Sequence, residues 1–199
     1  MPSDHEDLAR RIRELEDALA AELAQKRQRF QYSLERSRVV FNDEVIARHR
    51  AARERLSSFL SRTRFLVVVT APAIYILIVP FVLLDLMVSF YQAVCFPVYG
   101  IPKVPRRDHI VIDRHRLAYL NGLQKLNCIY CGYANGVIGW VREVASRTEA
   151  YWCPIKHSQP VMAPHGQYHR FPDFGDDSAF REQLSEIRQA LKRDDPDPD

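Results

Sequence analysis

At 199 residues and a formal net charge of +3, the chain has room for one domain or two small ones. Four unevenly placed cysteines exclude a disulfide-stapled secreted module, and the mild positive charge is typical of a protein at an anionic lipid surface rather than of a nucleic-acid binder. Residues 1–64 are mostly polar and charged and contain no long continuous apolar run, so we expect no cleaved signal peptide there.

The first 64 residues carry a long apolar repeat. No glycine or proline lies between Pro2 and Pro72, which permits one continuous helix, and Ser3 and Glu6 form a capping-box pattern at its start. Apolar residues recur every eleven positions in two rows: Leu8, Leu19, Phe30, Phe41 and Ala52; Ile12, Leu23, Leu34, Val45 and Leu56.

Such a narrow stripe, at about 3.67 residues per turn, is typical of helices that pair with each other. Residues 1–64 are therefore predicted to form one long coiled-coil helix that self-associates through residues 8–56. The alternative is a solvated helix that lies on lipid headgroups.

Residues 65–102 contain a single charged residue, Asp85. The first 20 of them, Phe65–Leu84, match the length of a helix that crosses the hydrocarbon core of a bilayer. The sequence therefore predicts a membrane anchor. We expect Asp85 to lie where a span ends or a hairpin turns, so that its carboxyl group reaches water or stays protonated.

Basic residues flank this anchor on both sides. Those before it are Arg48, Arg50, Arg53, Arg55, Arg62 and Arg64, and those after it are Lys103, Arg106, Arg107, Arg114 and Arg116. Because basic residues collect on the cytoplasmic side, this pattern favours a hairpin near Pro80–Asp85, or a re-entrant anchor, over a single span. The same residues, with His115, are predicted to contact anionic lipid headgroups.

Residues 103–177 are predicted to form a small module with a short strand at His109–Asp113 and helices at Arg114–Asn127 and Asn135–Ala150. Its most informative feature is a Cys/His pattern, C-x2-C, 21 residues, then C-x3-H. The four residues are Cys128, Cys131, Cys153 and His157.

Two close pairs of this kind can complete a tetrahedral Cys3His zinc site, and iron is the other metal that we consider. Gly132 would allow a tight turn that brings the first two sulfurs together. The alternatives are a redox-active Cys128/Cys131 pair and cysteines that are simply buried. Lys125 and Lys156 would offset the negative charge of three thiolates.

Two further histidines, His165 and His169, are expected to lie in an exposed loop, and the alternative is that one of them replaces or adds a metal ligand. Residues 178–199 are predicted to form a short amphipathic helix and a disordered acidic tail. Asp176, Asp177 and Ser178 are the N-cap candidates, and the apolar face holds Phe180, Leu184, Ile187 and Leu191. This face is expected to close over the metal-centred core.

Three stretches of the sequence resemble an uncharacterised family of bacterial integral membrane proteins. They are Asp113–Asn121, Asn127–Gly136 (NCIYCGYANG) and Tyr151–His157 (YWCPIKH), with residues 96–102 in the same pattern. The resemblance covers residues 80–175. It implies a bacterial inner-membrane setting, and it carries over no catalytic residue.

We therefore expect a mainly α protein with a coiled-coil arm, a membrane anchor and a cytosolic zinc module. The leading function is a non-enzymatic scaffold or adaptor for a protein partner that the sequence does not identify. The alternatives are a membrane-bound thiol redox or metal-handling protein and an accessory subunit of a membrane transporter, for which Asp85 would be indispensable.

Overall fold

The computed structural model of the protein describes residues 4–29, 32–35 and 38–193. In chain order its helices and strands are α1 (Asp4–Arg29), β1 (Tyr32–Glu35), β2 (Arg38–Phe41), α2 (Asp43–Ala51), α3 (Leu56–Arg62), α4 (Phe65–Ile76), α5 (Ile78–Tyr99), α6 (Arg106–His109), α7 (Gly122–Trp152) and α8 (Asp177–Arg193). The prediction of a mainly helical protein is confirmed. The Ser3 cap and the acidic tail from Asp194 lie outside the described residues.

The chain divides into two compact units. The arm unit comprises residues 1–60 and 115–125, and the anchor unit comprises residues 61–114 and 126–199. Each unit has its own buried side chains, and each is described by itself.

The arm unit does not contain the single long helix that the sequence predicted. After α1, strands β1 and β2 pair antiparallel, with Tyr32 opposite Phe41, and α2 follows. The run Val39–Phe41 is β-branched and aromatic, which favours a strand. Asn42 then occupies the N-cap position of α2, with acidic residues in the first turn and basic ones in the last. These local preferences outweigh the absence of glycine and proline.

The anchor unit begins with two apolar helices, α4 and α5, which together form a stretch of 35 residues long and apolar enough to cross a membrane. Leu77 separates them but keeps right-handed helical dihedral angles, φ −64° and ψ −13°. Pro80 lacks the N–H group that would bond to the Ile76 carbonyl, so the helix is interrupted there. The hairpin predicted near Pro80–Asp85 is wrong, because those residues lie inside α5.

Beyond α5 the chain reverses at Gly100, which adopts a left-handed conformation with φ +68° at the helix C-cap. Residues 101–112, here called the return segment, then run back along α5. The core of the unit forms around this segment from Phe96, Ile101, Val104, Trp140 and Val144.

The return segment also passes along α7, and two glycines allow the close approach. A Cβ atom at Gly136 would lie 2.7 Å from the Ile110 Cα, and one at Gly132 would lie 3.1 Å from the Val111 carbonyl oxygen. The strand expected at His109–Asp113 is therefore wrong. His109 ends α6, and the residues after it pack against the glycine face of α7.

Helix α7 begins later than the predicted helix Arg114–Asn127 and continues through the predicted turn. Asn121 and Gln124 form a reciprocal capping box, with the Asn121 N–H donating to Gln124 Oε1 at 2.9 Å and the Gln124 N–H donating to Asn121 Oδ1 at 3.0 Å. Gly132 is helical and buried, and it is needed for close packing, not for a turn.

Helix α8 begins as predicted. Asp176 Oδ1 accepts hydrogen bonds from the Ala179 N–H and the Ser178 hydroxyl, both at 2.9 Å, so Asp176 is the N-cap. Ile187 and Leu191 are buried and pack with Ala150 and Phe171 at the C-terminal end of α7. The amphipathic face thus covers an apolar cluster.

Candidate functional site

The anchor unit contains a polar cluster around Asp85, the one charged residue of the apolar helices. Its carboxylate pairs with the Arg106 guanidinium at 2.5 Å, accepts a hydrogen bond from the Tyr133 hydroxyl at 2.9 Å and lies 3.4 Å from the Ser89 hydroxyl. The Asp85 side chain is 9% exposed and the Arg106 side chain is 48% exposed. Burial, together with the hydrogen bond to Asp85, raises the pKa of Tyr133.

This cluster joins three segments that are distant in sequence: α5, the return segment and α7. The Asp85 carboxylate bonds to the Arg106 guanidinium and the Tyr133 hydroxyl, so the polar groups of the cluster satisfy each other. Asp85 therefore holds the fold of the anchor unit together, in place of the water contact that the sequence predicted.

A second buried contact, about two turns further along α5, fixes the return segment. The Gln92 side chain accepts the Val104 N–H at 2.9 Å and donates to the Val104 carbonyl oxygen at 3.2 Å. The Trp140 indole N–H donates to the same oxygen at 3.0 Å. Each of these groups is buried, and leaving one unsatisfied would cost about 1–3 kcal/mol.

The structure places the four predicted metal ligands along and beyond α7. Cys128 and Cys131 lie within the helix, Cys153 follows its last residue, and His157 lies in the next loop. At 1.5 Å per residue, the 22 positions from Cys131 to Cys153 correspond to about 33 Å. The two pairs are therefore not brought together in this fold. Zinc binding stays a prediction.

The cysteines of the first pair are also separated by helix geometry. Residues three apart on a helix have Cβ atoms about 5–6 Å apart, whereas a disulfide needs about 3.5–4.5 Å. A disulfide between Cys128 and Cys131 would thus require α7 to distort locally. All four cysteines are free thiols, and Cys131 and Cys153 are exposed.

The neighbouring charged residues and histidines have other partners. Lys156 pairs with Asp173 at 2.8 Å, and the backbone N–H of His157 donates to the Tyr168 hydroxyl at 2.7 Å. His165 was expected to be exposed, but its side chain is only 16% exposed and contacts Glu149 at 2.9 Å. His169 is exposed as predicted.

The apolar helices present a large exposed apolar surface. The side chains with the greatest exposure in α4 and α5 are Phe65, Leu66, Ile76, Leu86, Met87, Phe90 and Val98, each more than 60% exposed. An apolar surface of this extent is characteristic of a membrane or protein contact.

No protein-family model matches this chain, and no curated protein and no solved structure is significantly similar to it. Its functional assignment therefore depends on its own residues.

Sequence reasoning missed the residues that organise the anchor unit. Arg106 was assigned to a basic flank, whereas Gln92 and Trp140 were not singled out. The available signal was the presence of Asp85 and Gln92 seven residues apart within an apolar helix, which places both on one face. Buried polar side chains require partners, and those partners come from the return segment and α7.

Proposed function

We propose that the protein is a non-enzymatic, membrane-anchored scaffold whose anchor helix is part of the folded module that it carries. The observation that supports this proposal is that α5 contributes Asp85, Gln92 and Phe96 to the interior of the anchor unit while its opposite side remains apolar and exposed. A tether would hold its module loosely. Here the module has a fixed orientation relative to the helix, which suits it to present a binding surface for a protein partner.

The distribution of apolar and polar contacts supports a specific mode of anchoring. Helix α4, with 12 residues, is about 18 Å long and has no buried residue. Its last turn contacts α7, since the Tyr75 hydroxyl bonds to Asn127 and the Tyr130 hydroxyl donates to the Ile74 carbonyl oxygen at 2.9 Å, but lipid can surround the rest of the helix. Helix α5 is covered on one side from Asp85 onward by polar groups. We therefore propose that α4 enters the bilayer and that α5 lies at its surface, with only its apolar side in lipid.

This arrangement accounts for the basic residues on both flanks. Because the chain reverses at Gly100, Arg106 lies beside Asp85 and not beyond the end of the helix. A helix that dips into one leaflet keeps both flanks on the same side. We propose that this side is the cytosolic face of a bacterial inner membrane, where both flanks face anionic headgroups.

Self-association through the arm is a further part of the proposal. Leu15, Leu19 and Leu23 lie four residues apart on α1, on one face of the helix, and are exposed. If this stripe pairs with a second copy, the Leu19→Glu/Leu23→Glu variant will be monomeric by light scattering in detergent. The matched variant Ala21→Glu/Gln25→Glu, on the opposite face, will keep the oligomer.

Alkaline carbonate extraction of membranes tests the anchor. Wild-type protein should remain in the membrane pellet, and Val69→Lys/Leu83→Lys should be released, because each lysine costs about 3 kcal/mol in hydrocarbon. Both positions are more than 50% exposed. The control Met162→Lys/Phe174→Lys replaces apolar side chains that are even more exposed but lie outside the helices, and it should stay in the pellet. Release of the wild type would refute the anchor.

Protease protection in sealed inverted membrane vesicles tests the orientation. If α4 dips into one leaflet, protease added outside the vesicles will digest both the arm and α8. Protection of the arm alone would indicate a helix that crosses the bilayer, and it would contradict anchoring in one leaflet.

A further inference from the structure

The arm unit contains a cavity of about 430 Å³ whose wall is strongly basic. The cavity is formed by α2, the segment that follows it, residues 116–118 and the first turn of α7. Its lining includes Phe41, His49, Arg50, Arg53, Arg116 and Lys125, and no carboxylate. Small-molecule sites in proteins typically have volumes of about 300–1,000 Å³.

Within the described part of the chain, no carboxylate neutralises the four cations of this wall. Among the residues that the structure describes, no ion-pair partner contacts Arg50, Arg53, Arg116 or Lys125. Like charges held around one cavity repel each other, and its partly enclosed walls increase their field. An anion in the cavity would relieve this repulsion, although Arg50, Arg53 and Arg116 are also exposed to solvent.

His49 provides a second, independent observation. Its ring lies edge-on between Phe41 and Tyr119, with ring centroids 5.2 Å and 5.1 Å away. Its Nδ1 atom is buried and has no hydrogen-bond partner among the residues that the structure describes. The aromatic neighbours thus hold the His49 ring in place in the wall of the cavity.

We propose that this cavity binds a phosphate-bearing ligand, with the Arg50, Arg53, Arg116 and Lys125 side chains contacting the phosphate and His49 supplying a hydrogen bond. Arginine forms paired, charge-assisted hydrogen bonds with phosphate oxygens, and its planar fork suits this role. The volume exceeds that needed for one phosphate, and Phe41 with Ile46 forms an apolar wall for the remainder of the ligand. A soluble phosphate compound and a lipid headgroup share this chemistry. The site stands on the arm unit alone and does not depend on the anchor.

The test is calorimetric titration of the full chain in a phosphate-free detergent with pyrophosphate, accompanied by binding to vesicles of neutral lipid with and without phosphatidic acid. In Arg50→Gln/Arg53→Gln the dissociation constant should rise at least tenfold, since each removed cation takes with it a charge-assisted hydrogen bond. In the control Arg48→Gln/Arg55→Gln, which removes the same charge from the same segment outside the cavity, it should change less than twofold. His49→Phe, which keeps the ring packing, should also weaken binding.

Saturable binding of pyrophosphate with this variant pattern would support the site and identify a soluble ligand. Binding to phosphatidic acid vesicles alone, with the same pattern, would support the site and identify a headgroup. Absence of binding in both assays, or equal loss in the two double variants, would overturn the proposal. The calorimetric titration is made in detergent and does not require the anchor, and the neutral vesicles measure binding through the anchor alone. Failure here is therefore distinguishable from failure of the proposed membrane function.

Discussion

Helices α4 and α5 have similar apolar compositions but different surroundings. In α4 no residue is buried, whereas α5 buries Asp85, Gln92 and Phe96. Two of these three are polar, and each finds its partner in a segment that the chain brings back later. The comparison teaches that, within a long apolar run, polar side chains identify the side that packs on protein. Apolar length alone does not separate the lipid-facing part from the protein-facing part.

The largest expected effect on stability comes from a side chain placed where the return segment contacts α7. In Gly136→Ala the new methyl group would lie 2.7 Å from the Ile110 Cα and 2.9 Å from the His109 carbonyl oxygen, both backbone atoms. We expect a loss of about 3 kcal/mol in the free energy of unfolding, measured by denaturant titration with Trp140 fluorescence in detergent. This variant would make the surroundings of α5 more like those of α4.

Gly139→Ala is the matched control on the same helix. Its methyl group would meet only the His109 ring, at 3.8 Å, and alanine favours the helix by up to about 1 kcal/mol. A similar loss in both variants would contradict the close approach of the return segment at Gly136.

A smaller effect is expected from the ion pair that distinguishes α5. In Asp85→Asn the Arg106 cation and the Tyr133 hydroxyl lose a charged partner. The expected loss of stability is about 2 kcal/mol, less than for a fully buried pair because Arg106 is half exposed and can be rehydrated. A double-mutant cycle with Arg106→Gln should give a coupling energy of at least about 0.5 kcal/mol. Additive losses would show that the two side chains are not coupled.

A still smaller effect is expected at the exposed thiols of α7 and the loop after it. Cys131→Ser and Cys153→Ser should each change the free energy of unfolding by less than about 0.5 kcal/mol, since exposed side chains contribute little. The measurement is denaturant titration, with elemental analysis of the purified protein alongside it. If the wild type holds one zinc per chain and either variant fails to fold, the continuous helix α7 is contradicted and the Cys3His module is supported.

The smallest effect is expected at the start of α8, remote from the apolar helices. The Ala179 N–H and then the Ser178 hydroxyl lower the pKa of Asp176. Its carboxylate therefore stabilises α8 fully above the unfolded pKa of about 3.9, and this contribution is lost as the pH falls through the lower, folded pKa. The melting temperature of Asp176→Asn should be slightly below that of the wild type at pH 7. The difference should disappear at low pH, and a constant difference would contradict a charged cap.

Features determined by local chemistry could be predicted from the sequence. The apolar stretch of Phe65–Leu84 is long enough to indicate an anchor by itself. The start of α8 follows from the preference of aspartate for an N-cap, and its buried face follows from the spacing of Ile187 and Leu191. Each of these signals lies within about twenty neighbouring residues.

Features that depend on contacts distant in sequence could not be predicted in this way. Gly132 suits a tight turn as well as a close contact within a helix, and only the path of the return segment distinguishes the two. The cysteine spacing likewise does not reveal whether the 21 intervening residues fold back or extend as one helix. In the arm, the period of eleven predicted a continuous helix, although a short run of strand-forming residues around Val40 forms β2.

The separation of Asp85 from its partners in sequence also affects the order of events during synthesis. Arg106 follows Asp85 by 21 residues and Tyr133 follows it by 48. At about 5–20 residues per second, the ribosome adds Tyr133 roughly 2–10 seconds after Asp85. During these seconds one side of the nascent helix is apolar, and on the other side Asp85 lacks the Tyr133 hydroxyl. The polar cluster of the anchor unit can therefore close only after Tyr133 has been made, when α5 is already complete.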